Sequence, residues 1–286
     1  MVALAPLSAP DETRLSYREP GRPTPARPAN APVGRSLFIS IGATVALLGL
    51  WYLICRFKLV PPLFLPSPID VLRQFVALSV DGFADATLLQ HAYTSLTRVS
   101  IAFIVAASTA VPLGLAMGVN RWVKGVFDPP IELYWPIPPL AYLPLVIIWL
   151  GIGEVAKISI IALAMFAPLV ISAQAGVRSI PVGHIQAALS LGASRRQVFM
   201  HVIAPGALPE ILTGVRIAIG AGWSTLVAAE LVAATRGLGF MTLSAAEFLV
   251  TDVVFVGIFT IAAFALGFVF AVRALERWLT PWKGRE

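Results

Sequence analysis

Arg98, Glu132, Arg216 and Glu230 stand within or at the ends of long apolar runs. A charge at such a position costs roughly 2.5–3.5 kcal/mol at mid-helix unless it finds a partner or water. Charges kept there either pair between helices or line a path for a polar solute, and each of the four admits both readings. Glu230 and Arg236 bracket the end of one run, Ala-Ala-Glu-Leu-Val-Ala-Ala-Thr-Arg-Gly-Leu-Gly-Phe-Met. Gly237 and Gly239 favour a tight, re-entrant turn at that place. Such a turn suits a gate or a seat for a delivering protein; a local Glu230–Arg236 salt bridge is the simpler alternative. Covalent and metal chemistry have little support. His91, His184 and His201 lack ligand spacing, and Cys55, the only cysteine, excludes an intrachain disulfide and a thiolate metal site. Gly222-Trp223-Ser224-Thr225-Leu226 lacks the second glycine of a nucleophile elbow. No Gly-x-x-x-x-Gly-Lys-Ser/Thr loop is present, so the chain cannot cradle nucleotide phosphates itself.

The elements that must hold these charges are membrane helices. Over 286 residues, 58 % are hydrophobic and 13 % charged, too little polar surface for a soluble domain. Six uncharged or nearly uncharged stretches reach the length that spans a bilayer, near 37–55, 93–117, 129–150, 158–177, 207–232 and 253–272. These define an all-α integral membrane protein. Pro129, Pro130, Pro136, Pro138, Pro139 and Pro144 interrupt the third stretch. Prolines at that density free backbone carbonyls, which neighbouring helices or a water-filled cavity must satisfy. A kinked helix beside a translocation path and a bend made for packing both fit. Glu132, Pro138, Pro139, Arg216, Glu230 and Arg236 are therefore the candidate path or gate residues. Before the second stretch, Pro66-Ser67-Pro68 opens a short amphipathic helix over Ile69–Val76 on the outer surface.

Lys and Arg placement orients the spans. With the N-terminus inside, the cytoplasm receives Arg14, Arg18, Arg22, Arg27 and Arg35, then Arg121 and Lys124, then Arg178, Arg195 and Arg196. It also receives Arg273, Arg277, Lys283 and Arg285, whereas Arg56, Lys58, Arg73, Lys157 and Arg236 fall outside. Both termini are thus expected in the cytoplasm. The net charge of +6 reports topology in a lipid bilayer; without aromatic–basic interleaving it does not indicate nucleic acid. Residues 1–36, with seven prolines and five arginines, cannot bury a core and read as a disordered tail. Residues 37–91 then carry the first span and the external segment, 92–275 the main membrane domain, and 276–286 a cytoplasmic tail.

Residues 184–205, His-Ile-Gln-Ala-Ala-Leu-Ser-Leu-Gly-Ala-Ser-Arg-Arg-Gln-Val-Phe-Met-His-Val-Ile-Ala-Pro, form a helix-forming island in a cytoplasmic loop. Ser194 with Gln197 reads as a capping box opening a second short helix, with an apolar stripe of Val198, Phe199, Val202 and Ile203. Gly192 supplies the turn between the two helices. An interfacial helix on the bilayer and an element docking into a soluble partner both suit this pattern. The segment resembles the EAA loop of binding-protein-dependent ABC importer permeases, which couples the membrane subunit to its ATPase. Ala187, Ala188, Gly192 and Pro205 match that motif's spacing. Gln186 replaces its leading Glu and Ala204 the Leu before the Pro, which removes one salt bridge to the ATPase but leaves the small-residue surface intact.

The resemblance covers roughly residues 60–283. Pro129-Pro130-Ile131-Glu132-Leu133-Tyr134, Pro138-Pro139-Leu140-Ala141-Tyr142-Leu143-Pro144-Leu145 and Trp149-Leu150-Gly151-Ile152-Gly153-Glu154 look like the nitrate/sulfonate/taurine permease family. The runs Pro205–Glu210, Gly222–Glu230, Ala234–Met241 and Leu279–Trp282 are similar to its taurine branch. The resemblance implies a type I ABC importer permease fold with six transmembrane helices and a coupling loop over 183–205. Gln186, Ala187, Ala188, Leu191, Gly192, Ala193, Ser194 and Pro205 would meet the ATPase. It further implies the bacterial inner membrane, a second copy of the chain, two ABC ATPase subunits and a periplasmic substrate-binding protein. ATP and Mg would reside on the ATPases, with no cofactor in this chain. Taurine is the expected substrate, with alkanesulfonate or nitrate as alternatives. An ion-coupled secondary transporter, or a membrane enzyme or scaffold, is the reading from another class. Neither a repeated half nor an ion-site pair of intramembrane carboxylates supports the carrier.

Overall fold

The computed structural model describes residues 33–281. All of its regular elements are helical; a single bridge pairs Phe83 with Ala86. Residues to Leu50 form one compact unit and residues from Trp51 a second. The first is most of α1 (Val33–Arg56), which exposes Phe38, Ile39, Leu47 and Leu48. The expected tail over 1–36 lies outside the described residues as far as 32. Helix begins at Val33, four residues earlier than expected, because Pro32 is the last of the tail's prolines.

In the second unit, the expected amphipathic helix is α2 (Pro68–Val80). Ser67 Oγ accepts the Asp70 N–H at 3.2 Å, and Pro68 takes the first position, where no donor is needed. A capping box of Thr87 and Gln90 opens α3 (Leu88–Val119). Then follow α4 (Arg121–Tyr134), α5 (Pro139–Leu150), α6 (Glu154–Arg178), α7 (Val182–Ser190) and α8 (Arg195–Val198). A π-turn over Phe199–Ile203 leads into α9 (Ala204–Ala233), and α10 (Leu238–Glu247) and α11 (Thr251–Leu279) complete the order. Among the described residues, five helical stretches are long and apolar enough to cross a membrane, and the pair α4–α5 makes a sixth if counted as one span.

That pair corrects the expected third span. In place of one kinked helix over 129–150 there are two helices meeting at 105°. Pro139 forces Pro138 into an extended conformation (ψ 133°), which ends helical propagation, while Pro139 itself starts α5. Pro129, Pro130 and Pro144 stay inside helices, so density alone did not locate the break.

The core is the stack of α3, α6 and α9, filled by Val99, Ala106, Ile161, Met165, Val170, Ile219 and Leu226. Small residues let the backbones approach: a Cβ on Gly176 would come within 2.7 Å of the Ala207 carbonyl. A second cluster seats α10 on α11 and α2 through Leu238, Met241, Ala245, Val253 and Leu78. α11 continues to Leu279, into the stretch 276–286 expected as a tail, and Glu276 is buried; residues 282–286 lie outside the described set.

Candidate docking and gating sites

Past the end of α6, residues 182–203 fold as a helical hairpin. Gly192 sits at φ +86°, where a Cβ is strained, and its amide closes on the Leu189 carbonyl at 2.9 Å. Ser194 and Gln197 form the capping box, the Gln197 side chain accepting the Ser194 N–H at 2.8 Å. The expected stripe is real: Val198 and Ile203 are buried, and Phe199 and Val202 pack with them against Ala173, Val177 and Ala207. Ile185 and Ala188 turn inward onto the same cluster. Gln186, Ala187, Leu191, Gly192 and Ser194 remain exposed, Leu191 by 88 %, while Ala193 and Pro205 are half-buried. A shallow groove of about 400 Å³ runs between Ala188, Leu191, Gln197 and His201. The hairpin therefore has one face bonded to the bundle and one small-residue face open.

The second short helix opens at its capping box as expected. It runs without a break into α9. Pro205 has no N–H for the His201 carbonyl, so the helix widens, and Ala204 N–H bonds back five residues to Phe199.

At the other end of α6, four charges from three helices gather in one cluster. His91, Ser95 and Arg98 occupy i, i+4 and i+7 on α3, hence one face. Arg98 grips Glu154, the first residue of α6, in a bidentate contact, with Nε–Oε2 and Nη2–Oε1 both 2.6 Å. Its Nη1 donates to Glu230 Oε1 at 2.8 Å and to the Arg236 carbonyl at 2.7 Å. Glu230, near the end of α9, is fully buried; it also accepts the Ser95 hydroxyl and the Gly239 N–H, each at 2.7 Å. Lys157 Nζ donates to Glu154 Oε1 at 2.9 Å. Two cations face two anions, the balance that burial of charge requires.

The same cluster pins the turn between α9 and α10. Ser95 Oγ accepts the Leu238 N–H at 2.8 Å, and His91 Nδ1 accepts the Gly237 N–H at 3.0 Å. His91 Nε2–H donates to the Phe83 carbonyl at 2.9 Å, so the neutral ring with its proton on Nε2 satisfies both neighbours. Gly237 has φ +141°, and a Cβ there would strike the Glu230 carboxylate. Gly237→Ala should therefore cost about 1–3 kcal/mol in backbone strain and lost contact, lowering the melting temperature of the purified permease. Gly220→Ala, where a Cβ meets nothing within 4 Å, serves as control. Equal melting of the two variants would refute the account of the turn.

The expected Glu230–Arg236 bridge is not formed. The turn presents the backbone of residue 236 to α3, so Arg98 takes both the carboxylate and the Arg236 carbonyl, and the Arg236 side chain is exposed. Arg216 lies elsewhere, bonded to Thr213 at 3.0 Å and paired with Glu276 of α11 at 3.3 Å. Glu132 is exposed on α4. Pro139 lines a cavity of about 260 Å³ at the 105° break, with Tyr134, Trp135, Tyr142, Ser224 and Thr225. Of the six candidate path residues, then, Pro139 alone reaches that cavity, and Glu230 and Arg236 share the cluster. Glu154, Lys157, His91 and Ser95 had not been singled out as site residues. The signal was there in the polar 91/95/98 stripe inside an apolar run and the 154/157 pair at a helix start.

A bundle of helices long and apolar enough to cross a membrane thus carries an exposed helical hairpin between two of them. The chain belongs to the family of binding-protein-dependent transport system inner membrane components, matched over residues 110–282. It is 56 % identical over 254 residues to the taurine transport system permease protein TauC of Escherichia coli strain K12, covering 88 % of this chain and 92 % of that protein. A second permease of that organism, SsuC, named for aliphatic sulfonates transport, is 39 % identical over 83 % of this chain and 89 % of its own length. The inward-facing MetNI methionine ABC transporter shares the fold, with TM-score 0.55 at 19 % identity over 68 % of this chain and 96 % of that one. The chain is thus an ABC importer permease of the inner membrane; permeases of this kind work with a separate ATPase and a substrate-binding protein.

Proposed function

We propose that this chain is the permease of an ATP-driven taurine importer, acting as a homodimer with two ATPase subunits and one periplasmic binding protein. The likeness to TauC across nearly the whole of both chains carries the substrate reading. Both termini lie in the cytoplasm, as does the 182–203 hairpin. Its open face of Gln186, Ala187, Leu191 and Gly192 meets the ATPase. When two ATPases close on ATP, the two hairpins move together; the continuous passage from α8 through the π-turn into α9 converts this into rocking of the α6–α9 core. Hydrolysis resets it. The break between α4 and α5, with the cavity lined by Tyr134, Tyr142, Ser224 and Thr225, offers aromatic faces and hydroxyls to a small zwitterion along the path.

Reconstitution tests this. Permease and ATPase are placed in liposomes holding ATP, with binding protein and labelled taurine outside. ATP-dependent accumulation that requires the binding protein is the expected result. Accumulation driven by a proton gradient without ATP would refute the importer reading. Uptake of nitrate or longer alkanesulfonates in place of taurine would overturn the substrate alone.

A further inference from the structure

We infer that Arg98 is a positioning residue for the transport cycle, with Glu230 as its fixed partner and Glu154 as the partner that lets go when the outer ends of the helices separate. The inference rests on the importer reading and adds to it a defined outer latch. Arg98, on α3, joins two stretches remote from it in the chain: the start of α6, and the end of α9 with the turn that follows it. Parting α6 from α9 at this end must break one of its two carboxylate pairs.

Exposure decides which. The Glu230 side chain is 0 % exposed and the Glu154 side chain 55 %. Parting α3 from Glu230 would take away the Ser95 hydroxyl along with the guanidinium and leave a fully buried carboxylate with the Gly239 amide alone. The Glu154 carboxylate already reaches solvent, so water can replace its hydrogen bonds as it departs, and screening weakens its hold. Glu154 also begins α6 directly after Gly151 and Gly153, where a Cβ would meet nothing within 4 Å, so the chain before it has room to move. Lys157 follows Glu154 on the same helix and would travel with it, so that pair survives opening. The latch therefore has a permanent half on α3–α9 and a detachable half on α6.

The test uses the complete complex of permease, ATPase and binding protein in proteoliposomes, comparing wild type with Glu154→Gln, Glu154→Asp, Glu230→Gln and Arg98→Lys. Glu154→Gln should assemble with the ATPase as wild type does, yet hydrolyse ATP without binding protein roughly fivefold faster, the population shift that loss of an exposed ion pair supplies. Glu154→Asp, which keeps the charge, should return the basal rate toward wild type. Glu230→Gln should instead lower the amount of assembled complex. Arg98→Lys should lose assembly as well, because an ammonium cannot reproduce the fork that serves both carboxylates. Glu154→Gln with wild-type basal and stimulated rates would overturn the latch, and so would loss of assembly equal to that of Glu230→Gln. If wild type itself shows no stimulation by binding protein, the importer reading fails instead, and the two failures stay distinct.

Discussion

Glu230→Ala should remove most of the folded permease from the membrane. The carboxylate is fully buried and accepts from Arg98, Ser95 and Gly239, joining α3, α9 and the α10 turn. Deleting it leaves Arg98, itself 4 % exposed, with the single exposed carboxylate of Glu154 and its neighbour Lys157. Breaking one side of a buried pair costs about 3–5 kcal/mol, and the stranded amide and hydroxyl add to it. That is a large share of the roughly 5–15 kcal/mol that separates folded from unfolded domains. Detergent-solubilised yield and thermal unfolding by size-exclusion profile measure the effect. A variant with wild-type yield and melting would show that the cluster is dispensable to the fold.

Gly192→Trp should have the opposite character, sparing the fold and abolishing coupling. A Cβ at this position meets nothing within 4 Å, so the indole projects from the tip of the hairpin and not into the bundle. The φ of +86° adds a local strain of about 1–2 kcal/mol, borne by an exposed turn. If that open face docks as proposed, an indole beside exposed Ala187 and Leu191 should hold the ATPase off by steric exclusion. Gly192→Ala carries the backbone strain without the bulk and separates the two effects. The tryptophan variant should reach the membrane in normal amount but fail to co-purify the ATPase, with alanine close to wild type. Normal co-purification and normal substrate-stimulated hydrolysis in Gly192→Trp would remove the hairpin from the docking role.

Local signals were legible where one segment contains its own reason. The capping boxes at Thr87–Gln90 and Ser194–Gln197 close between residues three apart, so type and spacing suffice. The same holds for the turn at Gly192 and for the long apolar runs, whose composition admits little besides a span. Those runs, with the ordered motifs around Pro129–Glu154 and Pro205–Glu230, were enough for the membrane class and the permease family. The break at Pro138–Pro139 was half legible: six prolines announced a disturbance, but which of them breaks depends on the carbonyls their neighbours can satisfy.

Charge partners were the part that sequence could not decide. Glu230 and Arg236 are six residues apart and invite pairing, yet the turn at Gly237 hands the carboxylate to Arg98, 132 residues away. Glu154 reaches the same guanidinium across 56 residues. An ion pair depends on which helix faces pack together, and the sequence distance between its members carries no trace of that. The π-turn before α9 likewise needed the tertiary structure, since a missing N–H at Pro205 can be met by a break, a kink or a widened turn. Here the packing of Val198 and Ile203 against α6 holds both sides in line and selects the widened turn. Sequence by itself determined that helices cross a membrane and that the 184–205 loop folds as two short helices joined at Gly192; tertiary packing decided which charges those helices bring together, because burial sets the strength of a pair and only the fold sets burial.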